Sequence, residues 1–411
     1  METVGLWQLA EEQQPYMTAM RRLFHTEPEL SGREFKTRET LCKELTDMGI
    51  PYTLLPGTGL IAQVKGRLPG PSRLLRSDMD ALPLEELPDN PVQAKVCVSR
   101  NRGVCHACGH DAHMAMLLGT LRVLSAMREE LHGTVSACFE EGEETNCGLP
   151  AMMTALDGMK IDECFALHVY SGLEAGKICL TSGPRMAGAV RFDLTFKGRA
   201  GHGSRPDLAV NPIIPAAHMV GELDSLLRNR LAADAAVTLG LCQFRAGDTW
   251  NVIPESAWLE GTVRCLTAED RKRIKQRIYE LAEGQAASFG GHAELTWYAG
   301  PPATNNTPSW TDFAIEAAKE AGLDVVPAPV NLAGEDFAYY QEEIPGVFVL
   351  VGRAVLPRHI GEGVALDDEF AHILLVCYWS VVVGDYERWA RPLSKGRRAH
   401  PRFPSYFLGS G

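Results

Sequence analysis

The chain lacks a framework of paired cysteines. Its 11 cysteines are odd in number and scattered through positions such as Cys42, Cys138, Cys242 and Cys377. That pattern argues against a disulfide-stapled secreted scaffold, and a reducing compartment, the cytoplasm, is expected. The opening METVGLWQLAEEQQPYMTAMRRLF carries early acids and polar breaks instead of the basic and apolar regions of a secretory signal. No run is long enough to span a bilayer: the longest, FAHILLVCYWSVVVG at 370–384, is short and interrupted and reads as a buried closing helix. Positive charge is in deficit, with 40 Lys and Arg against 52 Asp and Glu for a net charge of −12. Nucleic acid and anionic membrane are therefore poor partners, and small molecules better ones. There is no internal repeat, and the one biased segment is the basic, Pro- and Gly-rich tail at 391–411, which reads as solvated.

What is present is an ordinary globular composition, 45% hydrophobic and 22% charged, over 411 residues. One hydrophobic core rarely organises that length, so two domains are expected. Helical spacing in QPYMTAMRRLFHTEP and EFKTRETLCKELTDMG alternates with the apolar strand-like runs SRLLR (72–76), GTVSACF (133–139), ECFALHV (163–169) and GVFVLVG (346–352). This is the pattern of an open α/β sheet. Each run is followed closely by chemistry: Asp78 and Asp80, the acids from Glu140 to Glu144, His168, and His359. Open α/β sheets bind ligands beyond the carboxyl ends of their strands, so these ends point to one site. Between Ala187 and Gly300 the half-exposed strands AVRFDLTFKG and AWLEGTVRCL alternate with two helical segments. A smaller α+β domain inserted into the α/β chain is predicted, giving 1–186 and 301–390 as the catalytic domain and 187–300 as the insert.

The densest chemistry lies in CHACGHDAH, residues 105–113. Cys105 and Cys108 have CxxC spacing, which suits a redox pair or half of a structural zinc site. A redox pair needs neither His110 nor His113, and a structural zinc site needs further ligands at familiar spacing that the chain does not supply. A helix is predicted from Asp111, with Cys108 to His110 on the entering loop. A thiol there is expected to have a lowered pKa, and with a nearby imidazole it can grip one metal ion. In FEEGEE (139–144), Glu143 and Glu144 follow an apolar strand and project toward the same crevice; one carboxylate can bind metal while the other moves protons. Glu140 and Glu141 suit a solvated face or helix start.

Taken in order, RSDMDALPLEE, CHACGHDAHMAMLLG, FEEGEE, ALHVYSGLEAG, FKGRAGHGSRPDLAVNPI, NVIPESAWLEGTVR and GEDFAYY resemble the dinuclear metal amidohydrolases of the aminoacylase and carboxypeptidase metallopeptidase family, over roughly residues 15–390. The resemblance implies metal ligands at Cys108, His110, Glu144, His168 and His359, and a general base at Glu143. It also implies an inserted lid that forms a homodimer, with His202 reaching the partner's active site to polarise the scissile carbonyl, and with Asn251 and Arg264 facing substrate. Arg264 equally suits a structural ion pair. Two divalent ions are implied, zinc by the cysteine ligand, with manganese, cobalt or nickel as alternatives. The implied reaction is hydrolysis of an amide in an N-acyl amino acid, dipeptide or related small amide.

The chain departs from the family where Glu140, Glu141 and Gly142 stand in place of Gln-Pro-Ala, where Asp207 follows Pro206, and in the run after His359. These departures support the alternative of a non-hydrolytic metal-dependent binding descendant; Cys105 and Cys108 leave open a redox protein.

Overall fold

The computed structural model describes residues 8–89, 95–229, 236–320, 322–327 and 331–354. His359, the apolar run at 370–384 and the basic tail lie outside the described residues. In chain order the elements used below are α1 (Gln14–Thr26), α2 (Phe35–Asp47), β1 (Tyr52–Leu54), β2 (Leu60–Lys65), β3 (Leu68–Asp78), α3 (His110–Ala126), β4 (His132–Glu140), α4 (Leu149–Asp157), β5 (Glu163–Glu174) and β6 (Lys177–Cys179). They continue with β7 (Gly188–Lys197), α5 (Ile213–Asn229), β8 (Val237–Ala246), β9 (Ser256–Cys265), α6 (Ala268–Ser288), β10 (His292–Ala299), α7 (Pro308–Glu320), β11 (Asp324–Val326) and β12 (Gly346–Ala354).

The described residues fall into two compact units: those up to 183 with 306–327 and 340–354, and those of 184–305 with 331–339. The first holds a mixed eight-stranded sheet in the order β1-β2-β4-β3-β5-β12-β6-β11. Its centre, β4-β3-β5-β12, is parallel, and these are the strands that the four apolar runs predict. Central parallel strands are covered on both faces, which is why β4 is buried from Val135 onward instead of alternating. Helix α3 is buried on all sides, with Met114, Leu117, Leu118, Leu121 and Leu124 in the core, so it shows no polar stripe.

The second unit is a four-stranded antiparallel sheet, β8-β9-β7-β10, covered by α5 and α6. Here the strands alternate: on β9, Ala257, Leu259, Val263 and Cys265 are buried while the intervening side chains are half-exposed. Its core of Phe192, Leu194, Phe196, Leu223, Ile274 and Ile278 is separate from that of the first unit.

Candidate metal centre

Three parallel strands deliver the chemistry, two at their carboxyl ends and the third midway, because β5 runs on past His168 to Glu174 instead of ending there as expected. β3 ends at Asp78 with Asp80 two residues on, β4 ends at Glu140, and His168 lies on β5. The register sets Asp78 opposite Glu140. Between β3 and β4 the chain enters α3 through Gly109, whose φ of 91° is a left-handed conformation that glycine adopts without penalty. The helix begins at His110, one residue before the predicted start, so His110 and His113 lie three apart on one face.

Among the described residues, two groups of metal-ligating atoms lie wholly within the first unit, each with its atoms within 4.8 Å of one another: Cys108 with His110 and Glu144, and Asp78 with His110 and His113. His110 belongs to both. Its Nδ1 lies 3.2 Å from Asp80 Oδ1, while its Nε2 is buried without a hydrogen-bond partner and lies 3.6 Å from Asp78 Oδ2. An orphaned buried nitrogen beside a carboxylate, on a ring that also groups with a thiol, is a position a divalent cation would satisfy. His113 is differently occupied. The Val169 N–H donates to its Nε2 at 2.9 Å and its Nδ1 lies 2.7 Å from Asp78 Oδ1, so it braces Asp78 against β5. His168 completes the imidazole cluster, its ring centroid 4.6 Å from that of His113 and 5.9 Å from that of His110. Its Nδ1–H donates to the Val169 carbonyl at 2.7 Å, which leaves Nε2 unprotonated in the neutral ring.

Electrostatics support a cation here. Burial opposes charge on His110, yet Asp78 and Asp80 outweigh it and hold its pKa well above the ordinary value. Carboxylates that attract a proton to this ring also attract a metal ion, and the two compete. Burial and then His113 pull His168 down to about 3, so it presents a neutral ring. The expected low pKa of Cys108 is overturned: burial first, and then Glu144, push this thiol up. The position before α3 does not compensate, because carboxylates surround the sulfur and only a cation would favour its thiolate. Burial, and then Glu86, also raise Cys105, whose backbone is bridged to Leu82.

The acidic run divides. Glu143 and Glu144 sit on a single helical turn flanked by left-handed Gly142 (φ 63°) and Asn146 (φ 57°). Their backbone N–H groups donate to the two oxygens of Asp80 at 3.2 and 3.1 Å. Glu140 and Glu141 are buried, which corrects the solvated-face reading. Glu140 Oε2 accepts from Arg76 Nε at 2.7 Å. Glu141 accepts the backbone N–H groups of Thr58 and Gly59. Glu34 caps the same loop, accepting the Gly142 N–H at 2.9 Å and the Thr58 hydroxyl at 2.7 Å.

In the second unit, His202 is exposed on a short ladder opposite Val252, and the adjacent Asn251 carbonyl accepts the Gly203 N–H at 2.8 Å. The Ser204 N–H donates to His202 Nδ1 at 3.2 Å, a contact that places the ring proton on Nε2. Arg264 lies on β9 opposite Ala189 and Thr238. Sequence reasoning did not single out Asp78 and His113 as a pair; the DxD after β3 and the HDAH spacing were the available signals.

Residues 74–371 match peptidase family M20/M25/M40. The chain belongs to this family. It is 37% identical over 337 residues to an N-acetylcysteine deacetylase of Bacillus subtilis, covering 81% of this chain and 87% of that protein. It is 33% identical over 345 residues to an IAA-amino acid hydrolase of Arabidopsis thaliana, covering 82% of this chain and 78% of that one. The crystal structure of a dinuclear metal-binding M20 peptidase from Bacillus subtilis aligns with a TM-score of 0.80 at 33% identity, covering 90% of this chain and 97% of that one. The M20 chain described here is thus a metal-dependent hydrolase of amide bonds, and the non-hydrolytic alternative gains no support. No helix among the described residues is long and apolar enough to cross a membrane.

Proposed function

We propose that the protein hydrolyses the amide of small N-acyl amino acids, with Cys108, His110, Glu144 and His168 holding two divalent ions and Glu143 as general base. The observation that carries this reading is the convergence of Cys108, His110 and Glu144, whose ligand atoms lie within 4.8 Å of one another, at a histidine whose buried Nε2 has no hydrogen-bond partner. The names of the N-acetylcysteine deacetylase and IAA-amino acid hydrolase relatives support an amino-acid leaving group on the amine side. A mixed thiol, imidazole and carboxylate set favours zinc, with manganese, cobalt or nickel as alternatives. His359 is proposed as the fifth ligand from the family pattern.

When bound, the ions lower the pKa of the attacking water and polarise the scissile carbonyl. Glu143 takes the proton of that water and passes it to the leaving amine. Asp80 holds His110 by its Nδ1 and the Glu143–Glu144 turn by its backbone, so ligand and base are positioned by one carboxylate. The second unit is proposed to act as lid and dimerisation domain, approximately residues 187–300. From it His202 would serve the site of a partner copy, donating Nε2–H to the oxyanion, with Asn251 and Arg264 facing substrate. A cytoplasmic location fits the scattered free thiols.

The test is amine release from a panel of N-acyl amino acids and dipeptides, with chelator and with zinc or manganese restored. Chelator-sensitive release recovered by metal supports the reading. Metal uptake without release from any member counts against the substrate class.

A further inference from the structure

Strand β5 outruns its neighbour. Its pairing with β3 stops where Arg76 lies opposite Ala166, because β3 ends at Asp78, whereas its pairing with β12 continues to Tyr170 opposite Gly352. In a strand the N–H and C=O of one residue point to the same edge, and a buried residue cannot hand them to water. Val169 is buried and lies beyond the last residue that β3 pairs. Two imidazoles take the place of a strand there: His113 Nε2 accepts the Val169 N–H at 2.9 Å, and His168 Nδ1–H donates to the Val169 carbonyl at 2.7 Å.

An imidazole nitrogen that accepts an amide N–H carries no proton, so the proton of His113 sits on Nδ1, where Asp78 Oδ1 receives it at 2.7 Å. Both nitrogens of His113 are thereby committed, and it has no lone pair left for a metal ion. Asp78 fixes the tautomer and aim of His113, and His113 in turn grips the peptide that joins His168 to Val169. The two rings also meet edge to face, with centroids 4.6 Å apart. His168 is therefore held at its backbone through the Val169 N–H and at its ring through the Val169 carbonyl and His113. We propose that His113 is a positioning residue of the metal centre, which by gripping the peptide between His168 and Val169 sets the direction in which His168 presents its unprotonated Nε2. The proposal rests on the reading of His168 as a ligand and adds to it a residue that does not touch the ion.

The experiment is titration of the metal-free full-length protein with Zn²⁺ against a chromophoric chelator, alongside thermal melting without metal. His113→Leu removes both hydrogen bonds and is expected to bind Zn²⁺ about 10- to 100-fold more weakly, the usual range for groups that orient ligands. His113→Gln offers an amide oxygen to the Val169 N–H and an amide N–H to Asp78, and recovers most of that loss. The deciding comparison is made in the His168→Ala background. There His113→Leu costs no further affinity, since two residues acting through one ligand are not additive, whereas a merely structural role costs the same with or without His168. Wild-type affinity in His113→Leu, no recovery in His113→Gln, or an undiminished loss in the His168→Ala background overturns the proposal. Should His113→Leu fail to fold, imidazole nitrogen NMR of the native protein decides: a proton on His113 Nδ1 alone supports the proposal, and one on Nε2 overturns it. If the wild-type chain takes up no Zn²⁺, or His168→Ala binds it as tightly, the ligand reading falls first and the proposal with it.

Discussion

Asp80 reaches His110 from the side away from its unpartnered Nε2, its Oδ1 lying 3.2 Å from His110 Nδ1. The same carboxylate receives the backbone N–H groups of Glu143 and Glu144 and the hydroxyl of Ser31 at 2.6 Å. Asp80→Asn should therefore lower metal affinity by about 10- to 100-fold, although Asp80 is not proposed as a ligand. Metal content after dialysis checks this, and full occupancy in the variant would sink it.

Glu143→Gln removes the proposed base without removing a proposed ligand. Turnover is expected to drop by about 10²- to 10⁴-fold, the usual contribution of a positioned acid–base group, with metal content unchanged. Metal loss in this variant would reassign Glu143 from base to ligand.

His25 bears on stability. Its Nδ1 lies 2.8 Å from Asp111 Oδ2 and its Nε2 3.0 Å from Glu86 Oε1, so both ring nitrogens face carboxylates. Burial opposes the imidazolium, but Asp111 and Glu86 overcome it and raise the pKa from 6.5 to about 9. Because the folded value exceeds the unfolded one, this stabilisation is fully present below pH 6.5 and is lost as pH rises toward 9, by a few kcal/mol on the order of the shift. His25→Gln should flatten the fall in melting temperature across that window. A slope identical to that of the native protein would remove His25 as its source.

Gly57→Ala tests the anchoring of the acidic turn. Gly57 has φ 93°, and an added Cβ would meet the Glu141 carboxylate. Both strain and collision predict destabilisation of at least about 1–3 kcal/mol in a denaturant melt. An unchanged midpoint would mean that the Gly57–Gly59 loop yields freely.

Exchange of His202 for Ala should lower turnover while leaving the melting temperature unaltered, since the ring is exposed and touches only Ser204 among the described residues. Native rates in that variant would argue against an oxyanion role.

Much of the fold was readable because central parallel strands are short continuous apolar runs and the inserted sheet alternates, two periods that a sequence displays directly. Cys108, His110 and Glu144 were readable as candidates because they lie in the polar segments that follow such strands. What the sequence hid depends on register and direction. The bracing of Asp78 by His113 requires β3 beside β5 and the Val169 N–H at hand. Glu141 was expected on a surface or helix start, yet it turns away from Glu143 because the N–H groups of Thr58 and Gly59 offer an anion nest across the loop. The raised Cys108 thiol depends on how many carboxylates converge, which spacing does not count.

The burial of α3 on all sides has a consequence for how occupancy and integrity are linked. The loop carrying Cys108 is fastened to the most enclosed helix among the described residues of its unit, so the helix cannot loosen without dispersing the proposed ligands. By mass action, a cation bound only in the native state protects that state in proportion to the logarithm of its concentration over its dissociation constant. Amide hydrogens of α3 should accordingly exchange more slowly when metal is present. Core substitutions at Leu117 or Leu121, further along the helix that begins at His110, should register first as metal that is more easily stripped.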